Sequence, residues 1–390
     1  MKNTLLSFTN IALIWLVIAA SFSINLPIAF GSISLGLFVM LWPISGGYGA
    51  KLALIKNNPG ALVALALLAL YGLGVSYSSA SFHDSFHYFM KYAKFLLIPL
   101  IVAALVSDKH RQYAINAFLI SLIGYLVVSY LNWVGVFSFG VMRHGTYMAL
   151  GFYLMLRNAK RKTGQFRMVW LVLGALTYFN ILFIADVRTG VITMFALMFM
   201  FALETWGTKG LMYWLALAVV TVIALKSVPE MPNLRIVGME QEVSTNKSSA
   251  GQRIEMYGNT LRLIKDHPFF GGGTGSIEGE YTNLIKDDPS VYIRKVTNPH
   301  NQYLMTTQEL GLLGLFMLVL FWGIHWTISY QLEHQEHGYF LRALIASTAL
   351  GSLFNSLLLD GGDGRMYCIL AGVLLSSYKP KAATFRSTSH

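Results

Sequence analysis

The chain has 390 residues, of which 55% are hydrophobic and only 12% charged, and its formal net charge is +11 at pH 7. The high hydrophobic fraction excludes a disordered protein, and the scarcity of charged residues argues against a soluble nucleic-acid binder. We therefore expect an all-α, polytopic integral membrane protein. The single cysteine, Cys368, excludes an intrachain disulfide and a thiolate metal site.

Apolar runs long enough for membrane helices recur along the chain. A helix that crosses the bilayer core needs about 20 mostly apolar residues. The sequence predicts twelve such runs, at residues 5–23, 26–43, 60–78, 86–106, 112–136, 141–157, 168–186, 189–204, 209–226, 302–330, 340–358 and 364–378. We expect the first run to remain as a membrane helix, because it is long for a signal peptide and another apolar run follows at once.

The predicted organisation has four parts. Residues 1–226 hold transmembrane helices 1–9, residues 227–299 form a polar loop domain, residues 300–378 hold helices 10–12, and residues 379–390 form a tail. Lys and Arg concentrate in alternate short connections, and such residues favour the cytoplasmic side. Both termini are therefore expected in the cytoplasm and the loop domain outside it. This orientation puts the whole excess of +11 on the cytoplasmic side, so the net charge indicates orientation rather than an anionic partner.

The loop domain is predicted to contain an amphipathic helix at residues 252–266. Its apolar residues recur at spacings of three and four, which is typical of one helix face: Ile254, Tyr257, Leu261 and Ile264. Pro268 ends the helix, and the glycines from Gly271 to Gly275 predict a tight, unencumbered turn. These glycines follow no predicted strand, so they do not indicate a nucleotide-binding loop.

Two arginines at the outer ends of predicted helices are candidates for binding an anion. Arg188 lies between two apolar runs, and Arg253 opens the predicted loop helix. An ionisable residue at membrane depth is costly and suggests function, and a guanidinium offers a planar set of donors that suits phosphate. The alternative is a local ion pair, with Asp186 for Arg188 and within the helix for Arg253.

His300 is the candidate for proton transfer. It lies just before the long apolar run at 302–330, where Asn298 is expected to cap the helix and Pro299 to occupy its first turn. The positive end of the helix dipole favours a neutral imidazole, which can accept a proton from a hydroxyl. The alternative is a histidine that only hydrogen-bonds backbone. We expect Arg188, Arg253 and His300 to converge on the outer side.

A second group of polar residues is expected near the same end of the bundle. It comprises Lys91, Lys94, Arg143, His144, Arg262, Asn301, Asp360, Asp363 and Arg365. The two lysines lie a short way into a predicted helix and could reach the interface by snorkelling. No nucleotide-binding or metal-binding motif occurs, so neither a metal nor a cofactor is expected. His334 and His337 resemble a metal pair only superficially and are expected on the cytoplasmic side.

Several of these features occur together in a characteristic order. Arg188 follows an apolar run, Arg-Ile-Glu-Met-Tyr begins at Arg253, and His-Pro-Phe-Phe-Gly-Gly-Gly begins at His267; His-Asn-Gln-Tyr-Leu begins at His300, and Glu-Leu-Gly-Leu-Leu-Gly follows at Glu309. In these motifs, the chain resembles the O-antigen ligase and polymerase superfamily of bacterial envelope glycosyltransferases. The ligases, with twelve spans and one dominant periplasmic loop between spans nine and ten, resemble it more closely than the polymerases do.

The resemblance implies an enzyme of the bacterial inner membrane with its active site on the periplasmic face. It implies transfer of a glycan from undecaprenyl diphosphate to lipid A-core, which completes lipopolysaccharide, without a metal. By position, Arg188 and Arg253 match the family's arginines, which are expected to bind the donor diphosphate, and His300 matches its functional histidine, expected to be the base. The expected partners are the donor, the acceptor and membrane lipids, and no nucleic acid.

Two alternatives remain at this stage. An O-antigen polymerase would use the same donor with a growing glycan as its acceptor. A membrane transporter or lipid-glycan flippase is the alternative from a different class, and twelve spans alone would favour it. Transporters often have matching halves and broken helices at the bilayer midplane. Here the halves do not match, and the polar residues lie at one face.

Overall fold

The computed structural model describes residues 2–136, 145–185, 187–226 and 248–379. Across these ranges the regular structure is helical, and the only strand-like pairing is an isolated bridge between Leu332 and Tyr378. The all-α fold expected from composition is therefore confirmed.

The helices follow one another with short connections over most of the described chain. The α-helices are, in order, α1 Lys2–Ser23, α2 Ile28–Leu41, α3 Tyr48–Lys56, α4 Pro59–Ser76, α5 Phe82–Tyr92, α6 Leu97–Ala104, α7 Asp108–Trp133, α8 Gly145–Arg161, α9 Gly164–Phe179, α10 Arg188–Trp206, α11 Lys209–Lys226, α12 Ser249–Asp266, α13 Ile277–Leu284, α14 Gln302–Ser329, α15 Gln335–Gly351 and α16 Asp363–Leu375. Short 3-10 helices occur at Trp42–Ile44 and Ala93–Leu96, and a π-helical turn occurs at Asn180–Ile184.

Seven helical segments of the described ranges are long and apolar enough to cross a membrane. They are Leu6–Ser23, Pro59–Ser76, Phe82–Ala104, Asp108–Trp133, Gly164–Ile184, Arg188–Trp206 and Gln302–Ser329. The pair Ile28–Ile44 and Tyr48–Lys56, bent by 117°, would raise the number to eight if it forms one span. The protein is thus a multi-pass membrane protein by composition and helix length, and the number twelve stays a prediction.

The expected run at 340–358 differs most from the structure. Helix α15 ends at Gly351, and the residues from Ser352 to Gly362 form turns that precede α16. Asn355 and Ser356 interrupt the apolar run, and the N–H groups of Leu358 and Leu359 bond to the distant Gln302 side chain instead of continuing the helix. This non-helical segment becomes one wall of the candidate site.

Helix α12 confirms the predicted loop helix, and its apolar face is not the one that is buried. Ile254 and Leu261 of the predicted apolar face are 52% and 48% exposed, whereas the buried residues include Met256, Asn259 and Leu263. Asn259 donates to the Tyr281 hydroxyl at 3.1 Å, so a polar contact draws this face inward. Apolar periodicity locates a helix face without deciding whether that face meets protein or lipid, because both are apolar.

Helix α14 coincides with the predicted run at 302–330. The sequence did not predict that this helix is broken in its interior. Gly311 has φ 66° and ψ −163°, a conformation that is found almost only in glycine, and it divides the helix into two pieces. The first piece, from Gln302, carries buried polar residues that include Gln308 and Glu309, and the second piece is apolar. The helix therefore changes character at its break.

Candidate functional site

The backbone at His300 adopts an unusual conformation. With φ 56°, His300 is the only non-glycine residue of the described ranges that has positive φ. Such a backbone costs about 1–3 kcal/mol and persists only where its surroundings hold it, which makes it a marker for function. Asn298 holds it here, because its side-chain oxygen accepts from the His300 N–H at 2.8 Å and from the Ser356 hydroxyl at 2.7 Å.

The start of α14 corrects one sequence prediction. Asn301, rather than Asn298, is the N-cap, and its side-chain oxygen accepts from the N–H groups of Tyr303 at 2.9 Å and Leu304 at 3.1 Å. Asn298 is unavailable as a cap because it already binds His300 and Ser356. Asn301 thus has a structural role, and His300 lies two residues before the helix begins.

The segment from Ser352 to Leu359 encloses the residues around His300. The Gln302 N–H donates to the Ser352 carbonyl at 2.8 Å, and the Gln302 side-chain oxygen accepts from the N–H groups of Leu358 and Leu359 at 3.0 and 3.1 Å. The Asn301 side chain donates to the Leu353 carbonyl at 3.1 Å. These bonds fix the position of the histidine relative to α14, α15 and the turn that follows.

The hydrogen bonds also define which nitrogen of the His300 ring carries the proton. Nδ1 lies 3.1 Å from the side-chain oxygen of Asn355, and that oxygen also accepts from the Ser356 N–H at 3.0 Å. Because a backbone N–H must meet an acceptor, the Asn355 atom is its oxygen and not its amide nitrogen. In the neutral ring, Nδ1 is then the donor, and Nε2 keeps the lone pair that can accept a proton.

Arg253 is connected to His300 through Tyr257. The Tyr257 hydroxyl lies 3.0 Å from the His300 carbonyl and 3.1 Å from the Leu353 carbonyl, and its single proton is shared between them. Burial raises the pKa of Tyr257 while the Arg253 guanidinium opposes that rise, so the phenol remains a donor at neutral pH. Arg253 lies one helical turn before Tyr257, about 6 Å along α12, and is half-buried. The loop helix therefore carries a cation one helical turn from the tyrosine that contacts the histidine.

The turn after α12, at residues 268–273, pairs through backbone hydrogen bonds with residues 308–313 of α14. We call this pairing the clasp. The N–H groups of Gly272 and Gly273 donate to the carbonyls of Gln308 and Glu309, both at 2.9 Å. In return, the N–H groups of Leu312 and Leu313 donate to the carbonyls of Pro268 and Phe269 at 2.8 and 3.3 Å. The break at Gly311 frees these two donors from helical bonding, so the glycine is what allows the clasp to form.

The buried Glu309 side chain completes this clasp. One carboxylate oxygen accepts from the Gly275 N–H at 2.7 Å, and the other accepts from the Tyr92 hydroxyl at 3.1 Å. The turn is crowded rather than unencumbered, because a Cβ built on Gly271 would lie 2.5 Å from the Gln308 carbonyl oxygen. We had expected only a turn here, and we gave Glu309 no role. The sequence feature that could have identified Glu309 is a carboxylate within a predicted membrane span.

Four of the second group of polar residues surround one cavity of about 520 Å³ beside Asn298: Lys91, Lys94, Asp360 and Arg365. The Lys94 ammonium donates to the carbonyls of Leu359, at 3.0 Å, and Asp360. The Lys91 ammonium lies 4.0 Å from the centre of the Tyr88 ring. Three cations and one exposed carboxylate thus line a cavity that adjoins the histidine loop, an arrangement suited to an anionic or polyhydroxylated ligand.

Arg188 lies at the same end of the bundle. It is the half-buried first residue of α10, whose start packs closely against the start of α8, where a Cβ on Gly190 would lie 2.8 Å from the Gly145 Cα. The neighbouring Thr146 hydroxyl donates to the Asp363 carboxylate at 2.7 Å. Within the described residues, the Tyr257 hydroxyl bonds to the His300 carbonyl one helical turn from Arg253, while Arg188 begins α10 beside the start of α8.

The remaining candidates have local explanations or lie outside the structure described. Arg262 is exposed and donates to Asn259 on its own helix at 3.2 Å. Arg143 and His144 fall outside the described residues.

One group elsewhere has the spacing of a metal site: Asp108, Glu333 and His334. Arg111 pairs with both carboxylates, and Lys379 pairs with Glu333 as well. Because protein cations already neutralise these acids, we assign no metal to the group.

The sequence did not identify Asn355, the residue that orients the His300 ring. The two residues are 55 positions apart, and Asn355 fell within a predicted membrane span. The pair of polar residues Asn355 and Ser356 inside that run was the only available signal. Together, an oriented imidazole, a nearby guanidinium and a basic cavity can accept a proton from a hydroxyl while binding an anion.

Residues 173–319 match a family model described as O-Antigen ligase. The match runs from α9 to α14 and includes Arg188, Arg253, His300 and the clasp at Gly311. It stops before Asn355. No curated protein matches the chain.

Proposed function

We propose that the chain, whose residues 173–319 match the O-antigen ligase family model, is an O-antigen ligase. In this proposal it is a membrane glycosyltransferase that moves a glycan from undecaprenyl diphosphate to a sugar hydroxyl of lipid A-core. The orientation of the His300 ring is the observation that best supports a transfer reaction. A sugar hydroxyl is a weak nucleophile until a base takes its proton, and Nε2 of His300 has the free lone pair that this step needs.

The proposed step is a direct displacement at the anomeric carbon of the donor. The acceptor oxygen forms a bond to that carbon, its proton passes to Nε2 of His300, and the bond from the carbon to the diphosphate oxygen breaks. The electron pair of that bond leaves with the diphosphate, and the anomeric configuration inverts. Cations beside the leaving group stabilise the charge that develops on it.

Arg253 and Arg188 are the proposed ligands of the diphosphate. Arg253 lies one turn from the tyrosine that contacts the His300 carbonyl, and Arg188 begins a helix at the same end of the bundle. Lys91, Lys94 and Arg365 line the cavity next to Asn298, where they would bind phosphate or glycan groups of either substrate. No step in this scheme uses a metal or a cofactor.

A transfer assay with the purified protein, lipid-linked glycan and lipid A-core tests the proposal directly. Formation of glycan-bearing lipid A-core supports a ligase, whereas lengthening of the lipid-linked glycan itself would indicate a polymerase. A deletion strain separates the two independently. Loss of a ligase leaves long polymer on the lipid carrier, and loss of a polymerase leaves single repeats on lipid A-core. Movement of the lipid-linked glycan across vesicles without transfer would indicate a flippase.

Replacing Arg188 with lysine tests whether guanidinium geometry is needed. Lysine keeps the charge but loses the planar pair of donors, so we expect kcat/KM to fall by about 10–100-fold, equivalent to ~1.4–2.7 kcal/mol. The matched control is Arg262→Lys, which alters an exposed arginine on α12 and should leave kcat/KM within about twofold of the wild-type value. Equal rates for Arg188→Lys and the wild-type protein would remove Arg188 from the diphosphate site.

Asn355 is proposed as a positioning residue for His300. Asn355→Leu removes the acceptor for Nδ1–H, and we expect kcat to fall by about 10–100-fold, as for other partners that orient a functional histidine. Asn355→Asp keeps an acceptor and adds a charge that stabilises the protonated ring. In that variant, the acidic limb of the pH profile of kcat/KM should move to higher pH. If both variants lose activity equally and the profile does not move, Asn355 has only a structural role.

A further inference from the structure

A second large cavity, of about 960 Å³, lies between α7, α8 and the start of α15. Helix α15 runs from this cavity to Ser352, which bonds to Gln302 beside His300. A helix of 17 residues is about 25 Å long, so this length separates the cavity from the candidate active site. The cavity is therefore at the other end of the bundle, and the diphosphate chemistry proposed above does not explain it.

The walls of this cavity combine apolar and basic surfaces. Ile120, Ile123 and Trp170 line one part, and Ile120 is 60% exposed. Arg161 and Lys162 line the rim and are exposed. No ion pair in the described part of the chain joins either of these two cations to an acid. The cavity therefore combines an apolar surface that could contact acyl chains with adjacent positive charges that form no ion pair among the described residues.

Two buried polar atoms in the lining lack partners among the described residues. Arg157 is 5% exposed, and its guanidinium donates to both oxygens of Glu336, at 2.7 and 3.3 Å, and stacks on Tyr339. Its Nη1 has no hydrogen-bond partner, and neither has Nδ1 of the buried His337. A buried donor without a partner is costly and uncommon in folded proteins, and a bound ligand is one explanation. The spare Arg157 donor thus points to an anionic acceptor.

We propose that this cavity binds an anionic phospholipid, with its phosphate at Arg157, Arg161 and Lys162 and its acyl chains along Ile120, Ile123 and Trp170. A free phosphate would pair with the cations but leave the apolar wall uncovered. A neutral lipid would cover the apolar wall but leave the cations without an anionic partner. Basic pockets between membrane helices recognise anionic head groups, and each Lys or Arg near the surface contributes about 1 kcal/mol. The inference does not depend on the proposed glycosyl transfer.

Native mass spectrometry of the detergent-purified protein tests this binding with phosphatidylglycerol and, for comparison, phosphatidylcholine. The wild-type protein should retain phosphatidylglycerol in preference. The double variant Arg161→Gln/Lys162→Gln should bind phosphatidylglycerol about 30-fold more weakly, since two basic residues are lost. The matched control, Lys160→Gln/Arg167→Gln, removes the same charge from exposed residues outside the cavity and should bind like the wild type.

Three results would overturn the proposal. Equal weakening in the two double variants would show that net charge, and not this cavity, attracts the lipid. Equal retention of the two lipids by the wild type would show that the head group is not recognised. Binding of glycerol 1-phosphate as tightly as the lipid would identify a soluble anion as the ligand. Both double variants alter exposed side chains, so we expect each to fold.

Discussion

The His300→Ala variant is expected to transfer glycan about 10²–10⁴-fold more slowly than the wild-type protein, because a positioned general base contributes a factor of that size. The reduction should fall on kcat, since the acceptor proton is removed only in the transition state. The purified protein, with lipid-linked glycan and lipid A-core under single-turnover conditions, provides the measurement. Added imidazole should restore part of the rate if the missing group is a base.

His83→Ala is the matched control for this experiment. His83 is an exposed histidine at the start of α5, outside the network that orients His300. Its variant should transfer at the wild-type rate and should not respond to imidazole. A rate for His300→Ala within about threefold of the wild type would contradict the assignment of the base. The match of residues 173–319 to the O-antigen ligase family model does not depend on this result.

The second large effect is expected for Gly311→Ala. A Cβ at this position would lie 2.1 Å from the Phe269 carbonyl carbon, and the backbone has φ 66° and ψ −163°. Alanine would therefore require about 1–3 kcal/mol of backbone strain and also separation of the clasp. We expect little folded protein, or a loss of stability that exceeds ~3 kcal/mol. Size-exclusion profiles and thermal unfolding in detergent measure this.

Gly323→Ala provides the comparison within the same helix. A Cβ on Gly323 meets no atom within 4 Å, and alanine is the better helix former by about 1 kcal/mol. This variant should be as stable as the wild type or slightly more stable. If Gly311→Ala unfolds at the same temperature as Gly323→Ala, the clasp is not essential to the fold.

The sequence predicted helices well where the run was long and apolar. Residues 189–204 became Arg188–Trp206, and residues 302–330 became Gln302–Ser329. It could not predict the end of α15 at Gly351, because turn residues bonded to distant side chains replace the helix there. Apolar residues occur both where a helix is buried in protein and where it contacts lipid, so the apolar face of α12 does not reveal which face is buried.

The sequence predicted several residues of the candidate site but not the contacts between them. His300, Arg253 and the cations Lys91 and Lys94 follow from polar residues in unfavourable positions. Asn355 and Tyr257 act through contacts 55 and 43 residues away in sequence, to the His300 ring and carbonyl respectively. One sequence without its relatives does not reveal such pairs. The N-cap was misassigned by three residues because Asn298 and Asn301 are equally good caps until their other partners are known.

The break at Gly311 also divides α14 into a piece of membrane-spanning length and a shorter polar piece. The piece of α14 from residue 312 to Ser329 has 18 residues and is about 27 Å long, close to the thickness of the hydrocarbon layer. The polar piece from Gln302 to Leu310 adds at most about 14 Å beyond it. Where this second piece crosses the hydrocarbon layer, the polar piece carries His300 beyond that layer. Under the proposed function, a carrier lipid would then keep its tail in the bilayer during the reaction, while an acceptor sugar approaches from water.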